Sequence, residues 1–73
     1  MVPYNPSIEQ RMKKFYDTLS EKDKRRYAGV EAMKLGRGGV AYVTKILGCS
    51  RKTVFKGLRE LNSLSPEVVK KNG

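Results

Sequence analysis

A long stretch in the second half of the chain carries basic side chains and no acidic ones. Between Lys34 and Arg59 there is no aspartate or glutamate, and the whole chain has 16 Lys and Arg against 7 Asp and Glu, a formal net charge of +9. Guanidinium and ammonium groups bind phosphate oxygens and base edges, so nucleic acid is the expected partner, with an anionic membrane surface or an acidic protein as alternatives. The seven basic residues are Lys34, Arg37, Lys45, Arg51, Lys52, Lys56 and Arg59.

Other kinds of chemistry find little support in the residue types. The chain has one cysteine, Cys49, and no histidine, which excludes an internal disulfide and a zinc site built from Cys and His. It shows no nucleophile–base pair, no paired carboxylates in an apolar setting and no Walker-type phosphate loop. We therefore expect a protein that is not an enzyme and binds no cofactor, metal or small molecule. Cys49 is interpreted as a small apolar residue rather than a redox sensor.

Because the N-terminal residues contain no apolar run, we expect no signal peptide, and the sequence has no apolar stretch of membrane-spanning length. Together with the single cysteine, this predicts a cytoplasmic protein, associated with the nucleoid if it binds DNA. We expect no membrane partner.

The elements that must position the basic residues begin with an N-terminal arm and a first helix. The two prolines in Met1–Pro6 predict an extended, mobile arm. Ser7 followed by Gln10 resembles a capping box, and the spacing predicts a helix over Ile8–Thr18. The predicted apolar stripe of this helix consists of Ile8, Met12, Phe15 and Leu19, with Tyr16 beside it.

A second helix is predicted over Glu21–Leu35, with Ser20 as its N-cap and acidic residues in its first turn. Gly29 in its interior costs about 1 kcal/mol relative to alanine, and a close helix crossing would explain it. The glycine-rich run 36–39 ends this helix, and we interpret it as a flexible connector rather than a phosphate-binding loop. The predicted core-facing residues are Ala28, Ala32 and Leu35.

Two short helices are predicted next, Val40–Leu47 and Arg51–Leu61, joined by the turn Gly48-Cys49-Ser50. Glycine suits the left-handed conformation that ends the first of them, and Ser50 is a suitable N-cap for the second. This combination is typical of a helix-turn-helix, whose second helix lies in the DNA major groove. The residues that pack the pair into the core are Val43, Leu47, Val54, Leu58 and Leu61, with Gly57 allowing close approach.

The predicted fold class is therefore all-α: a small bundle of about four helices with a homeodomain-like, three-helix core that contains the helix-turn-helix. Residues 1–6 form the arm, residues 7–61 the DNA-binding domain, and residues 62–73 a tail with weak or no structure.

The candidate contact residues follow from the position of each side chain on the second helix of the motif. The N-terminal part of a recognition helix lies deepest in the groove, and an arginine there can bind guanine O6 and N7 together. Phe55 has two open interpretations: it packs on a thymine methyl, or it completes the core against the tail. The candidates for base contact are Ser50, Arg51, Lys52 and Phe55, and those for phosphate contact are Arg37, Lys45, Thr53, Lys56 and Arg59. About five phosphate contacts predict a log–log salt slope of about −4 to −5.

Residues 25–61, about half of the chain, resemble the N-terminal region of Rhodopirellula-type insertion-sequence transposases. The most specific segments are Leu35-Gly36-Arg37-Gly38-Gly39, Leu47-Gly48-Cys49-Ser50-Arg51-Lys52-Thr53-Val54 and Gly57-Leu58-Arg59-Glu60-Leu61. In that family this region is a helix-turn-helix that binds the terminal repeats of the element, and a separate, longer domain carries a metal-binding DDE triad. The 73 residues do not include that domain, so the resemblance implies DNA binding without strand transfer. It leaves open an excised domain or a truncated frame.

Two alternatives to a transposase module remain. The first is a free-standing small transcriptional regulator of the same fold, which would be a homodimer on a palindromic operator. The second is a helical adaptor whose basic face binds an acidic protein. The four tyrosines are scattered over different elements, so we expect them in the core or on the surface rather than as a stacking platform for single strands.

Overall fold

A computed structural model describes residues 4–64 of the chain. Within this part the fold is entirely helical, without strands, which confirms the predicted fold class of a small helical bundle. The four helices are α1 (Pro6–Asp17), α2 (Glu21–Leu35), α3 (Gly39–Leu47) and α4 (Arg51–Asn62). Residues 1–3, half of the predicted arm, and residues 65–73, most of the predicted tail, lie outside the described residues.

The predicted start of the first helix is wrong by two residues. Asn5, not Ser7, is the N-cap of α1: its side chain accepts the Ile8 N–H at 2.9 Å, and Pro6 takes the first helical position. Asparagine is among the strongest N-caps, and the fixed φ of proline is preorganised for the first turn, so this pair starts the helix before the serine is reached. Ser7 accepts a hydrogen bond from the Arg11 side chain instead.

The end of the predicted arm also packs rather than extending into solvent. Tyr4 lies against the core, and its hydroxyl donates to the Glu31 carboxylate at 3.4 Å. Its ring centroid lies 6.2 Å from that of Tyr42 on α3. The Tyr42 hydroxyl in turn donates to Glu9 on α1. Tyr4 therefore ties the start of the chain to α2 and α3.

The apolar stripe predicted for the first helix is rotated in the folded protein. Met12 and Tyr16 are the buried residues of α1, each 8% exposed, whereas Phe15 is 53% exposed. Tyr16 lies under two lysine ammonium groups, from Lys13 and Lys24, at 5.7 and 5.4 Å from its ring centroid. Phe15 instead forms a T-shaped pair with the ring of Tyr27 on α2, with 5.3 Å between the ring centroids. The prediction from residue types placed the fully apolar ring of Phe15 inside, but the ring of Tyr16 fills the core instead.

Helix α2 is the centre of the bundle, because it contacts each of the other three helices and α4 most extensively. Its boundaries and its Ser20 cap, which accepts the Asp23 N–H at 3.2 Å, agree with the prediction. Ala28 and Ala32 are buried as predicted. Helix α3 approaches α2 closely where Gly39 packs against the Ala32 backbone, and Val43 and Leu47 of α3 are fully buried. The buried apolar residues are Met12, Tyr16, Ala28, Ala32, Val43, Leu47 and Val54.

Candidate nucleic-acid interface

The turn between α3 and α4 determines where α4 begins. Gly48 has a left-handed φ of 72°, and its N–H donates to the Thr44 carbonyl at 3.0 Å, which closes α3. Ser50 then accepts the Thr53 N–H at 3.2 Å and caps α4. The conformations predicted for Gly48 and Ser50 are therefore present, and the two helices are joined across the predicted turn.

The inner side of α4 is fixed to α2 at successive turns. Val54 is fully buried. One turn later, the backbones of Gly57 and Gly29 cross so closely that a Cβ on Gly57 would lie 2.5 Å from the carbonyl carbon of Arg25. Glu60, a turn further, accepts a hydrogen bond from Arg25, with 2.8 Å between Nη2 and Oε2. Both glycines of the crossing are thus explained by helix packing.

Glu60 also lies 3.6 Å from the Nε of Arg26, so a single carboxylate serves two guanidinium groups of α2. The hydrogen bond from Arg25 lowers the pKa of Glu60, and the charges of both arginines act in the same direction. The only acidic residue of α4 is thereby held on its inner side, which leaves the outer side of this helix without negative charge.

The outer side of α4 carries five of the nine residues that are predicted from the sequence to contact DNA. All five of them are exposed, and Phe55 is 48% exposed despite being apolar. At 100° per residue they cover one continuous face of the helix. This face, which we call the α4 outer face, consists of Arg51, Lys52, Phe55, Lys56 and Arg59.

The cations of this face have no acidic partner within residues 4–64. The described ion pairs are made by other lysines and arginines, and of the seven basic residues between 34 and 59 only Lys34 takes part, 3.5 Å from Glu31. Arg37 and Lys45 are likewise exposed and make no ion pair in this part of the chain. Within residues 4–64, six exposed cations of this stretch therefore have no carboxylate partner.

Ser50 and Thr53 are less available for contact than the other candidates. The Ser50 Oγ already accepts the Thr53 N–H, and it lies 3.1 Å from the Thr53 Oγ1. Thr53 is also half-buried. Each hydroxyl retains hydrogen-bonding capacity, but its orientation is set by the cap.

Arg37 and Lys45 do not belong to the α4 outer face. Arg37 lies in the loop before α3. Lys45 lines an open groove between α1 and α3, of about 550 Å³, together with Lys13 and Lys14 of α1. Lys13 and Lys14 are not predictable as contact residues from the sequence, because bases and acids are interleaved in this part of the chain as on an ordinary solvated helix face. Only helix packing brings them to Lys45.

The tyrosines and the cysteine are explained by packing. Tyr16 is buried, Tyr4 and Tyr27 pack against the core, and Tyr42 donates its hydroxyl to Glu9, so they form no common stacking platform. Burial, assisted by that hydrogen bond, raises the pKa of Tyr42 to about 12. Burial likewise raises the pKa of the Cys49 thiol, as expected of a small apolar residue rather than a reactive one.

The residues from 4 to 64 contain no group of three or more metal-ligating His, Cys, Asp or Glu side chains. None of the helices in the same range is long and apolar enough to cross a bilayer. Comparison of the chain with protein-family models, with curated proteins and with solved structures found no match.

Proposed function

We propose that this chain binds double-stranded DNA sequence-specifically, with α4 in the major groove. The observation that carries the proposal is the α4 outer face, whose four cations have no acidic neighbour in the described part of the chain. Because Glu60 is drawn inward by Arg25 and Arg26, no carboxylate of α4 opposes approaching phosphates.

The dimensions of α4 suit this role. Its 12 residues give a length of about 18 Å and a diameter of about 10–12 Å, which the major groove of B-DNA, about 12 Å wide, admits. Arg51 and Lys52 stand in its first turn, the part of a recognition helix that lies nearest the base edges. Lys56 and Arg59 follow further along, where the backbone phosphates are the expected partners.

The finer form of the proposal is that the target is the terminal repeat of a mobile element. It is supported only by the resemblance of residues 25–61 to the DNA-binding region of insertion-sequence transposases. The chemistry of transposition is not part of the proposal, because these residues offer no acidic triad. A chain with this function would be found with the nucleoid.

Salt dependence is the direct test of the phosphate contacts. Each contact releases counterions and contributes about 0.9 to the slope of log K against log salt. Lys56→Gln should therefore weaken binding of unrelated duplexes and reduce the slope by about 0.9. Lys22→Gln is the matched control, since Lys22 is an exposed lysine of α2 that makes no described ion pair and lies outside α3 and α4. Equal effects of the two changes would refute the assignment of α4, and absence of duplex binding at low salt would refute the function.

Arg51 tests the reading of bases. A bidentate contact to guanine contributes about 1–3 kcal/mol of discrimination, so Arg51→Ala should weaken binding of a selected duplex by about fivefold or more, beyond its effect on a scrambled duplex. The comparison needs a sequence chosen from a random pool by the wild-type protein. An equal loss on both duplexes would remove Arg51 from the base-reading role.

A further inference from the structure

Phe55 is an apolar ring in the middle of a charged surface. It is 48% exposed and is not among the residues packed against the core cluster. It forms no aromatic pair within residues 4–64. Its neighbours on the helix surface, three or four residues away or adjacent to it, are the four cations Arg51, Lys52, Lys56 and Arg59.

This placement contributes little to the stability of the free protein, since about half of the ring remains in water. An apolar protein surface is a poor partner for the ring, because four surrounding charges would have to be desolvated with it. The partner must therefore combine negative charge with an apolar group at close range. In a DNA major groove the phosphates line the edges, and the C5 methyl of thymine is the apolar group among the base edges.

The register along α4 agrees with this partner. Phe55 is four residues after Arg51, one turn further along on the same side of the helix. If Arg51 reaches a base edge, the next turn of the same face meets a neighbouring base pair in the same groove. The ring then lies over a base edge, while Lys56 and Arg59 remain available to phosphates.

We propose that Phe55 is a specificity-determining residue that selects thymine by packing its ring against the C5 methyl group. The assignment rests on the proposed function, because it requires α4 in the major groove. It predicts that the preferred duplex contains thymine at a position one helical turn of α4 from the base pair contacted by Arg51.

The test replaces thymine by uracil, which removes the methyl group and leaves base pairing intact. The probe is the duplex that the wild-type protein selects from a random pool, with each thymine replaced in turn. Burial of one methyl group contributes about fourfold in affinity. One replacement should therefore weaken wild-type binding about fourfold, and Phe55→Ala should bind the thymine and uracil duplexes equally.

Two results would overturn the assignment: no thymine whose methyl matters to the wild-type protein, or the same loss on methyl removal in Phe55→Ala as in the wild type. The first result requires no variant, so the test does not depend on the folding of Phe55→Ala. Salt-dependent binding of duplexes by the wild-type protein, measured in the same series, separates a failure of the Phe55 assignment from a failure of the proposed function. If it persists while discrimination is absent, only the role of Phe55 fails; if it is absent, the proposed function fails as well.

Discussion

The crossing of α2 and α4 gives the sharpest prediction about the fold, through the substitution Gly57→Ala. In a helix interior, alanine is usually more stable than glycine by about 1 kcal/mol. Here the added Cβ would lie 2.5 Å from the carbonyl carbon of Arg25 and closer still to its oxygen. Both are backbone atoms, so no side-chain rotation relieves the overlap. Gly57→Ala is therefore expected to destabilise the protein, whereas Gly→Ala in a helix interior usually stabilises it.

The magnitude follows from the displacement that the overlap imposes. Ordinary van der Waals contact begins at 3.4 Å, so α2 and α4 must separate by at least about 1 Å, a gap that forfeits about half of the dispersion attraction across it. Overpacking of this kind costs about 1–3 kcal/mol, and the strain falls on the backbone of Arg25, which cannot rotate away as a side chain can. The overlap with the Arg25 backbone puts the cost at the upper end of that range, and deducting the propensity gain of about 1 kcal/mol leaves an expected net loss of about 2 kcal/mol.

The assay is urea unfolding followed by circular dichroism, with a thermal scan in parallel. A small domain loses about 4–8 °C of melting temperature for each kcal/mol, so Gly57→Ala should melt at least about 8 °C below the wild type. Gly29→Ala is the matched control on the opposite side of the crossing. Its Cβ would lie 3.0 Å from the Leu58 nitrogen, which a shift of a few tenths of an ångström relieves, so its loss should be smaller. A Gly57→Ala protein as stable as the wild type would show that the two helices do not cross at these glycines.

Three further predictions concern the turn, an ion pair and the thiol. Gly48→Val should destabilise the protein in a thermal scan by about 1–2 kcal/mol or more, because a β-branched residue is strained at the φ of 72° that Gly48 adopts, although a side chain there would have space. Gly48→Asn should lose less stability, since asparagine tolerates the left-handed conformation better. Equal losses from the two substitutions would show that the cost does not come from the backbone conformation. Because the folded-state pKa of Glu60 is lowered, its contribution to stability is complete above its ordinary pKa of 4.5 and is lost as the pH falls through the lowered value. Glu60→Gln should therefore unfold at lower urea than the wild type at neutral pH, with a gap that narrows in acid; a gap independent of pH would contradict this. Cys49, whose thiol pKa is raised by burial, should react slowly with a thiol reagent until urea is added, and a rate like that of a free thiol would show that it is not buried.

Local hydrogen bonding made much of the fold predictable. The caps Ser20 and Ser50 and the left-handed Gly48 act through backbone groups within a few residues of themselves. The limits of α2 and the start of α4 could therefore be predicted from neighbouring residues alone. The same reasoning was wrong at the start of α1, where Asn5 and Ser7 are both competent caps two residues apart and the proline after Asn5 favours the earlier one.

The exposed cations of the candidate site were equally predictable, because charged side chains cost free energy when buried and therefore remain at the surface. Arg51, Lys52, Lys56 and Arg59 lie on one face of α4 as helical spacing requires. The sequence alone thus determined four helices, the turn and a face of unopposed positive charge on α4.

Tertiary packing decided what depends on residues far apart in the chain. Whether Phe15 or Tyr16 enters the core depends on which neighbours α1 meets, and the groove of α1 and α3 that holds Lys45 exists only after they dock. The crossing at Gly29 and Gly57 is likewise a property of two helices together. These contacts become favourable only when chain entropy has been spent to bring distant segments together, so local sequence patterns do not encode them individually.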